Sequence, residues 1–130
     1  MAPEITGLYA VPLSLMMLAL STHVTMLRTK TGISILDGGN TTLAESIRRH
    51  GNFIENVPMI LLLMALAEFL GASNIWLHIT GLLLIFARLL HASGIRMDKS
   101  ATFPRIAGGT ATSVAMLIAV GNIAACLFLK

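Results

Sequence analysis

The run from Ile5 to Leu27 contains no charged side chain, and this one feature constrains the chain more than any other. It is long enough to cross a hydrocarbon core about 30 Å thick, for which a helix needs about 20 apolar residues. Three further stretches of the same kind follow, and 130 residues leave room for four such helices joined by short connections. Composition agrees. Only 12% of the residues are charged and 55% are hydrophobic, whereas a soluble domain carries about 25% charged and about 45–50% apolar residues. Too little polar surface remains to coat a water-facing globule. The expected fold is an all-α membrane protein: a four-transmembrane-helix bundle forming a single domain over 1–130, with helices near 5–27, 42–70, 74–94 and 104–129 and the lipid bilayer as its immediate partner.

Local punctuation supports these boundaries. Thr42-Leu43-Ala44-Glu45 has the form of a capping box at the start of the second helix. Gly71 is placed to end that helix in the left-handed conformation, and the short connection to Asn74 makes helices two and three antiparallel neighbours. Trp76 is an interfacial anchor, and Pro104 suits a first helical turn. Helix four is rich in small residues, and Gly109/Ser113 and Gly121/Ala125 have the small-xxx-small spacing that brings membrane helices together. That spacing serves contact with a second copy or packing within one bundle equally well.

Several classes are excluded. Cys126 is the single cysteine, so neither a disulfide nor a cysteine-based zinc site forms within one chain. The histidines have no neighbouring acidic ligands at metal-binding spacing, and no metal is expected. A pI near 9.6 without a basic stripe and interleaved aromatics does not indicate nucleic acid. Glu4 in place of a basic leader marks the first span as retained and not cleaved. The bases cluster at the end shared by the first and third connections: Arg28, Lys30, Arg48, Arg49, Arg88, Arg96, Lys99 and Arg105, against Lys130 alone at the other end. The positive-inside rule places both basic loops in the cytoplasm and both termini outside.

Against this apolar background, Arg48, Asn52 and Glu55 stand at i, i+4, i+7 and share one side of helix two. An ionisable group at membrane depth costs roughly 2.5–3.5 kcal/mol or more, so Glu55 needs a partner or an aqueous pocket. Pro58 frees the carbonyl of Ile54 beside it, which is tolerated where backbone is buried or lines a cavity. Arg88 and His91, at i, i+3 on helix three, form a second polar pair. An ion pair between Glu55 and Arg88 and a ligand site are both compatible with this pattern. Arg49, His50, Arg96 and Lys99 read as interface charges. His23 is expected to be satisfied by hydrogen bonds between helices, His78 to be interfacial, and Glu68 to reach water. Arginines with an amide and a carboxylate suit a small zwitterion bearing carboxylates and an amine. Glutathione has that layout, and a site at the lipid boundary lets its thiol meet an apolar electrophile.

The pattern Arg48-x-x-x-Asn52-x-x-Glu55, with Asp37-Gly38-Gly39, Gly51, Pro58 and Arg88-x-x-His91, resembles the membrane-associated proteins in eicosanoid and glutathione metabolism (the MAPEG family), and its bacterial branch in particular. The resemblance implies a left-handed four-helix bundle assembling as a homotrimer in a bacterial inner membrane. It further implies glutathione as co-substrate between subunits near the cytoplasmic face, and a glutathione transferase or peroxidase acting on lipophilic substrates in detoxification. By that analogy Arg28, Arg48, Asn52, Glu55, Arg88 and His91 would bind glutathione, and Arg105 would stabilise its thiolate as the catalytic residue. Ile95 stands where characterised members carry a tyrosine, and the single tyrosine, Tyr9, lies at the far end of helix one. Thiolate stabilisation would then rest on Arg105 with a hydroxyl such as Ser100 or Thr102. Two other readings are open: a small proton-coupled multidrug exporter, disfavoured because the first span has no carboxylate, and a catalytically silent scaffold of the same fold.

Overall fold

Four helices make up the architecture of the computed structural model, which describes residues 2–99 and 101–129. They are α1 (Glu4–Thr31), α2 (Thr41–Phe69), α3 (Asn74–Gly94) and α4 (Phe103–Phe128). Each is long and apolar enough to cross a membrane. The chain runs up and down, so the α1–α2 and α3–α4 connections share one end of the bundle. The start of α1, the α2–α3 turn and the end of α4 share the other. Ser100 and Lys130, to which a thiolate hydroxyl and an outer charge are ascribed above, lie outside the described residues.

Helix ends are set by backbone chemistry, and two differ from expectation. α1 continues past Leu27, because Arg28 and Lys30 limit immersion in lipid without opposing helix. It stops at Gly32, in the left-handed region at φ 70°, whose N–H donates to the Arg28 carbonyl at 2.9 Å. The capping box does not form. Asn40 caps α2 instead, its Oδ1 accepting from the Leu43 N–H at 3.0 Å, while the Glu45 carboxylate is engaged elsewhere. At the far end of α2, Gly71 (φ 80°) closes a Schellman motif. Its N–H donates to the Glu68 carbonyl and that of Ala72 to the Ala67 carbonyl. α4 has Pro104 in its first turn, as expected, and Thr102 is its N-cap.

α3 and α4 pack most closely, because Gly94 and Gly108 leave no Cβ between the two backbones. The buried row Gly108, Thr112, Ala115, Ala119 on α4 faces inward; the small residues of this row serve packing within the bundle. Gly121 faces open space. Tyr9, Leu13, Phe53, Val57, Ile60, Met64, Leu84, Ala115 and Ala119 form the core. The buried residues of α1 all fall in its first half, Thr6, Tyr9 and Leu13.

Glu68, at the end of the bundle opposite the two long connections, and His23, on α1, depart from their expected roles, and His78 gains a partner. Glu68 is buried and does not reach water. Its carboxylate accepts from the N–H groups of Ile5 and Thr6 and from the Thr6 hydroxyl, each at 2.8 Å, and so caps α1 from another helix. Pro3 provides no side-chain cap, and the open amides of a helix start need an acceptor. His78 is half-buried, its Nδ1 2.8 Å from the Tyr9 hydroxyl, and Gly81 makes room for the Tyr9 ring against α3. His23 is exposed and makes no hydrogen bond among the described residues, since this part of α1 faces away from the other helices.

Candidate functional site

At the end carrying the two long connections, α2, α3 and α4 converge on Arg88. This residue is 1% exposed, in the seam between the helices. Its Nη2 donates to Asn52 Oδ1 at 2.8 Å and lies 3.4 Å from His91 Nδ1. Nη1 donates to the Thr112 hydroxyl at 3.3 Å. The guanidinium carbon sits 5.6 Å from the centre of the Phe53 ring, within cation–π range. Among the described residues no carboxylate pairs with Arg88, and its Nε is buried with no hydrogen-bond partner. The cation is held in place by neutral groups.

The ion pair between Glu55 and Arg88 therefore does not form. Residues three apart on a helix differ by about 60° around its axis, so Asn52 turns into the seam while Glu55 turns outward. Glu55 meets Arg48 at 3.3 Å, and their side chains are 53% and 56% exposed. Each is open to a further partner. His91 is buried, its ring lies against Gly109, and its Nδ1 is 3.4 Å from Arg88 Nη2. Arg105 is in the first turn of α4, its backbone seated on Gly94. Five of the expected residues, Arg48, Asn52, Arg88, His91 and Arg105, are thus gathered at one end, with Glu55 on the outer flank.

Arg28 stands apart from this group. Its Nη1 donates to the carbonyls of Ile33 and Leu36, at 3.1 and 2.9 Å, and so folds the α1–α2 connection back on α1. Nη2 and Nε are not used in these bonds. Thr102 directs its hydroxyl to the Gly94 carbonyl at 2.6 Å and accepts from the Arg105 N–H at 3.4 Å. It is a helix cap, and its proton is committed. Ile95 is 4% exposed, and Tyr9 is held by His78 at the opposite end of the bundle. Neither supplies a phenol to this site.

Two features escaped the sequence reading. Thr112 joins the Arg88 shell, as the buried row at i, i+4, i+7, i+11 on α4 would have indicated. Arg49 is no simple interface charge: it pairs with Glu45 at 3.0 Å and donates to the Ile95 carbonyl at 2.8 Å, while Glu45 accepts from the Met97 N–H at 2.9 Å. Only distance in sequence concealed this contact. By contrast Arg96 and Asp98 form an exposed pair at 3.0 Å. The hydrogen bond from Arg96 holds the Asp98 carboxyl below the usual carboxylate range. The pair stabilises the loop above the unfolded-state pKa and is lost as pH falls through the lowered value, with a small effect at such an exposed position.

Beside the site, Leu13, Ser14, Met17, Phe53, Val57, Pro58 and Leu61 line an apolar groove of about 200 Å³ between α1 and α2. Pro58 lies in its wall. Glu55 lies on α2 between two of its lining residues, Phe53 and Val57.

The fold and the site together define a class: a four-span membrane bundle whose few charges concentrate as arginines at one end of an apolar body. The chain belongs to the MAPEG family, whose model matches residues 6–125. It is similar to inner membrane protein YecN of Escherichia coli (strain K12), 37% identical over 90 residues that cover 69% of each chain. The YecN of Escherichia coli O6:H1 (strain CFT073) matches to the same extent.

Proposed function

We propose that this protein is an inner-membrane, glutathione-dependent transferase acting on lipophilic electrophiles, with its basic loops in the cytoplasm and three copies per assembly. The observation that carries this reading is the excess of guanidinium over carboxylate around His91. Arg88 lies 3.4 Å from the His91 ring, Arg105 stands one turn before Gly109, against which that ring lies, and Arg48 one turn before Asn52, the partner of Arg88. Among the described residues buried Arg88 has a donor to spare and no counter-ion. A buried cation held only by neutral groups is costly, and an anion arriving nearby offsets that cost. Membership of a family that includes glutathione transferases supports the choice of anion, and the YecN name supports the membrane.

In this reading Arg48 and Glu55 exchange their mutual contact for the carboxylate and ammonium of the peptide. Asn52 and Arg88 define the inner wall, and the unused nitrogens of Arg28 take a second carboxylate. Arg105 favours the thiolate over the thiol, which has a free pKa near 8.5, so a proton leaves to water. The thiolate sulfur then forms a bond to an electrophilic carbon held in the α1–α2 groove, and the leaving group departs with its electron pair. The buried Ile95 also fits a silent member of the same fold that binds the peptide without activating it.

Thiolate absorbance and turnover of an aromatic halide by detergent-purified protein test both. The expected result is a thiolate signal at neutral pH and a rate that falls on the order of 100-fold in Arg105→Ala, the scale of removing one preorganised electrostatic partner. Binding of glutathione without a thiolate signal identifies the silent scaffold. Turnover untouched by Arg48→Ala with Arg105→Ala sinks the site.

A further inference from the structure

We infer that Glu45 and Arg49 are positioning residues for Arg105, acting through the backbone of the α3–α4 connection. The inference rests on the reading of Arg105 as the thiolate-stabilising group. Both residues leave α2 on the side facing that connection, and each joins its partner and a main-chain group. Glu45 Oε2 takes Arg49 Nη2 at 3.0 Å while Oε1 takes the Met97 N–H at 2.9 Å. The same Arg49 nitrogen reaches the Ile95 carbonyl at 2.8 Å. The pair is three-quarters buried, with side-chain exposures of 26% and 22%, unlike the exposed Arg48–Glu55 pair.

The grip falls where α3 has ended and α4 has yet to begin. Ile95 is the residue after Gly94, whose missing Cβ admits the backbone of Arg105, and whose carbonyl accepts from Thr102, the cap of α4. One residue therefore abuts both the α2 grip and the seat of Arg105. Moving Ile95 would move Gly94, the Thr102 cap and the first turn of α4 together. Arg105 would lose its register against His91, and a displacement of about 1 Å at a reacting group costs on the order of 100-fold in rate.

The chemistry of the contact supplies its own test. Exchanging the two residues, Glu45→Arg with Arg49→Glu, retains an ion pair but reverses its match to the backbone. Arginine cannot accept from the Met97 N–H, and glutamate cannot donate to the Ile95 carbonyl. Glu45→Gln retains an acceptor and Arg49→Lys a donor. In intact, detergent-purified protein the exchange variant and Glu45→Ala should raise the pH midpoint of the bound glutathione thiolate toward the free-thiol value of about 8.5. They should lower kcat at least ~10-fold while KM for glutathione stays within ~3-fold, as expected when activation of the thiol is lost and the contacts that hold the peptide are kept. Glu45→Gln and Arg49→Lys should recover most of the loss. Amide exchange at Met97 should accelerate in the exchange variant and Glu45→Ala only.

A thiolate midpoint and kcat in the exchange variant equal to the wild type, with Arg105→Ala still impaired, would overturn the inference and leave the proposed function intact. Absence of any thiolate in the wild type overturns the proposed function. The grip itself is then still read by Met97 exchange, and protection unchanged in the exchange variant overturns it on its own. If the exchange variant does not fold, equal losses in Glu45→Gln and Glu45→Ala overturn it as well.

Discussion

Arg88 and Glu68 illustrate opposite ways of keeping a charge inside an apolar bundle. Among the described residues Arg88 has no counter-ion, and its stability depends on the Asn52 oxygen and the Thr112 hydroxyl. Asn52→Leu leaves a buried guanidinium short of an acceptor and should destabilise the protein by about 1–3 kcal/mol. Arg88→Met removes the need for that acceptor and should lower the melting temperature less. Thermal unfolding in one detergent compares them, and a larger loss for Arg88→Met would refute this account of the residue. Glu68 is satisfied by three donors at the start of α1. Glu68→Ala should cost about 1–3 kcal/mol, with exchange of the Ile5 and Thr6 amides rising before any other part of α1 opens.

At the scale of the helices, the glycines separate into those that set a contact and those that do not. A Cβ at Gly108 would strike the backbone of α3 at Ala87 and His91, whereas one at Gly121 would meet nothing. Gly108→Ala should therefore destabilise by about 1–3 kcal/mol through overpacking, and Gly121→Ala should be neutral or gain up to ~1 kcal/mol from helix propensity. Equal melting temperatures for the two variants would contradict this packing. The four apolar runs were legible from the sequence because lipid imposes length and composition on every span. The cap of α1, the cap of α2 and the grip on Ile95 were not. The first and the last join residues whose proximity is decided only when helices pack; the second is local, and the capping-box motif at Thr42 concealed it, because the Glu45 carboxylate accepts from the Met97 N–H instead. Within the candidate site, the spacing of Arg48, Asn52 and Glu55 placed all three on α2. It did not reveal that Asn52 and Glu55 turn to different sides.

For the molecule as a whole, the distribution of burial distinguishes the two halves of α1. Leu15 and Leu18 are more than 60% exposed, so the outer face of this helix must meet lipid or neighbouring chains. The proposed trimer predicts that native mass spectrometry in mild detergent finds three chains, and a monomer there would argue against subunits sharing the site. The proposed orientation is tested in a Cys126→Ser background. Ile35→Cys, in the exposed α1–α2 connection, should react with an impermeant maleimide only from the cytoplasmic side, and Asn74→Cys only from the other.

The carboxylate that closes the start of α1 has one more consequence, which concerns biosynthesis. Thr6 and Glu68 lie 62 residues apart in the chain, so the first span leaves the ribosome with its leading amides open. They are closed only when the second span has been made and turned back beside it. A nascent chain cut short before residue 68 would present an α1 without its cap, dependent on water or lipid headgroups for those amides. The second helix therefore finishes the first.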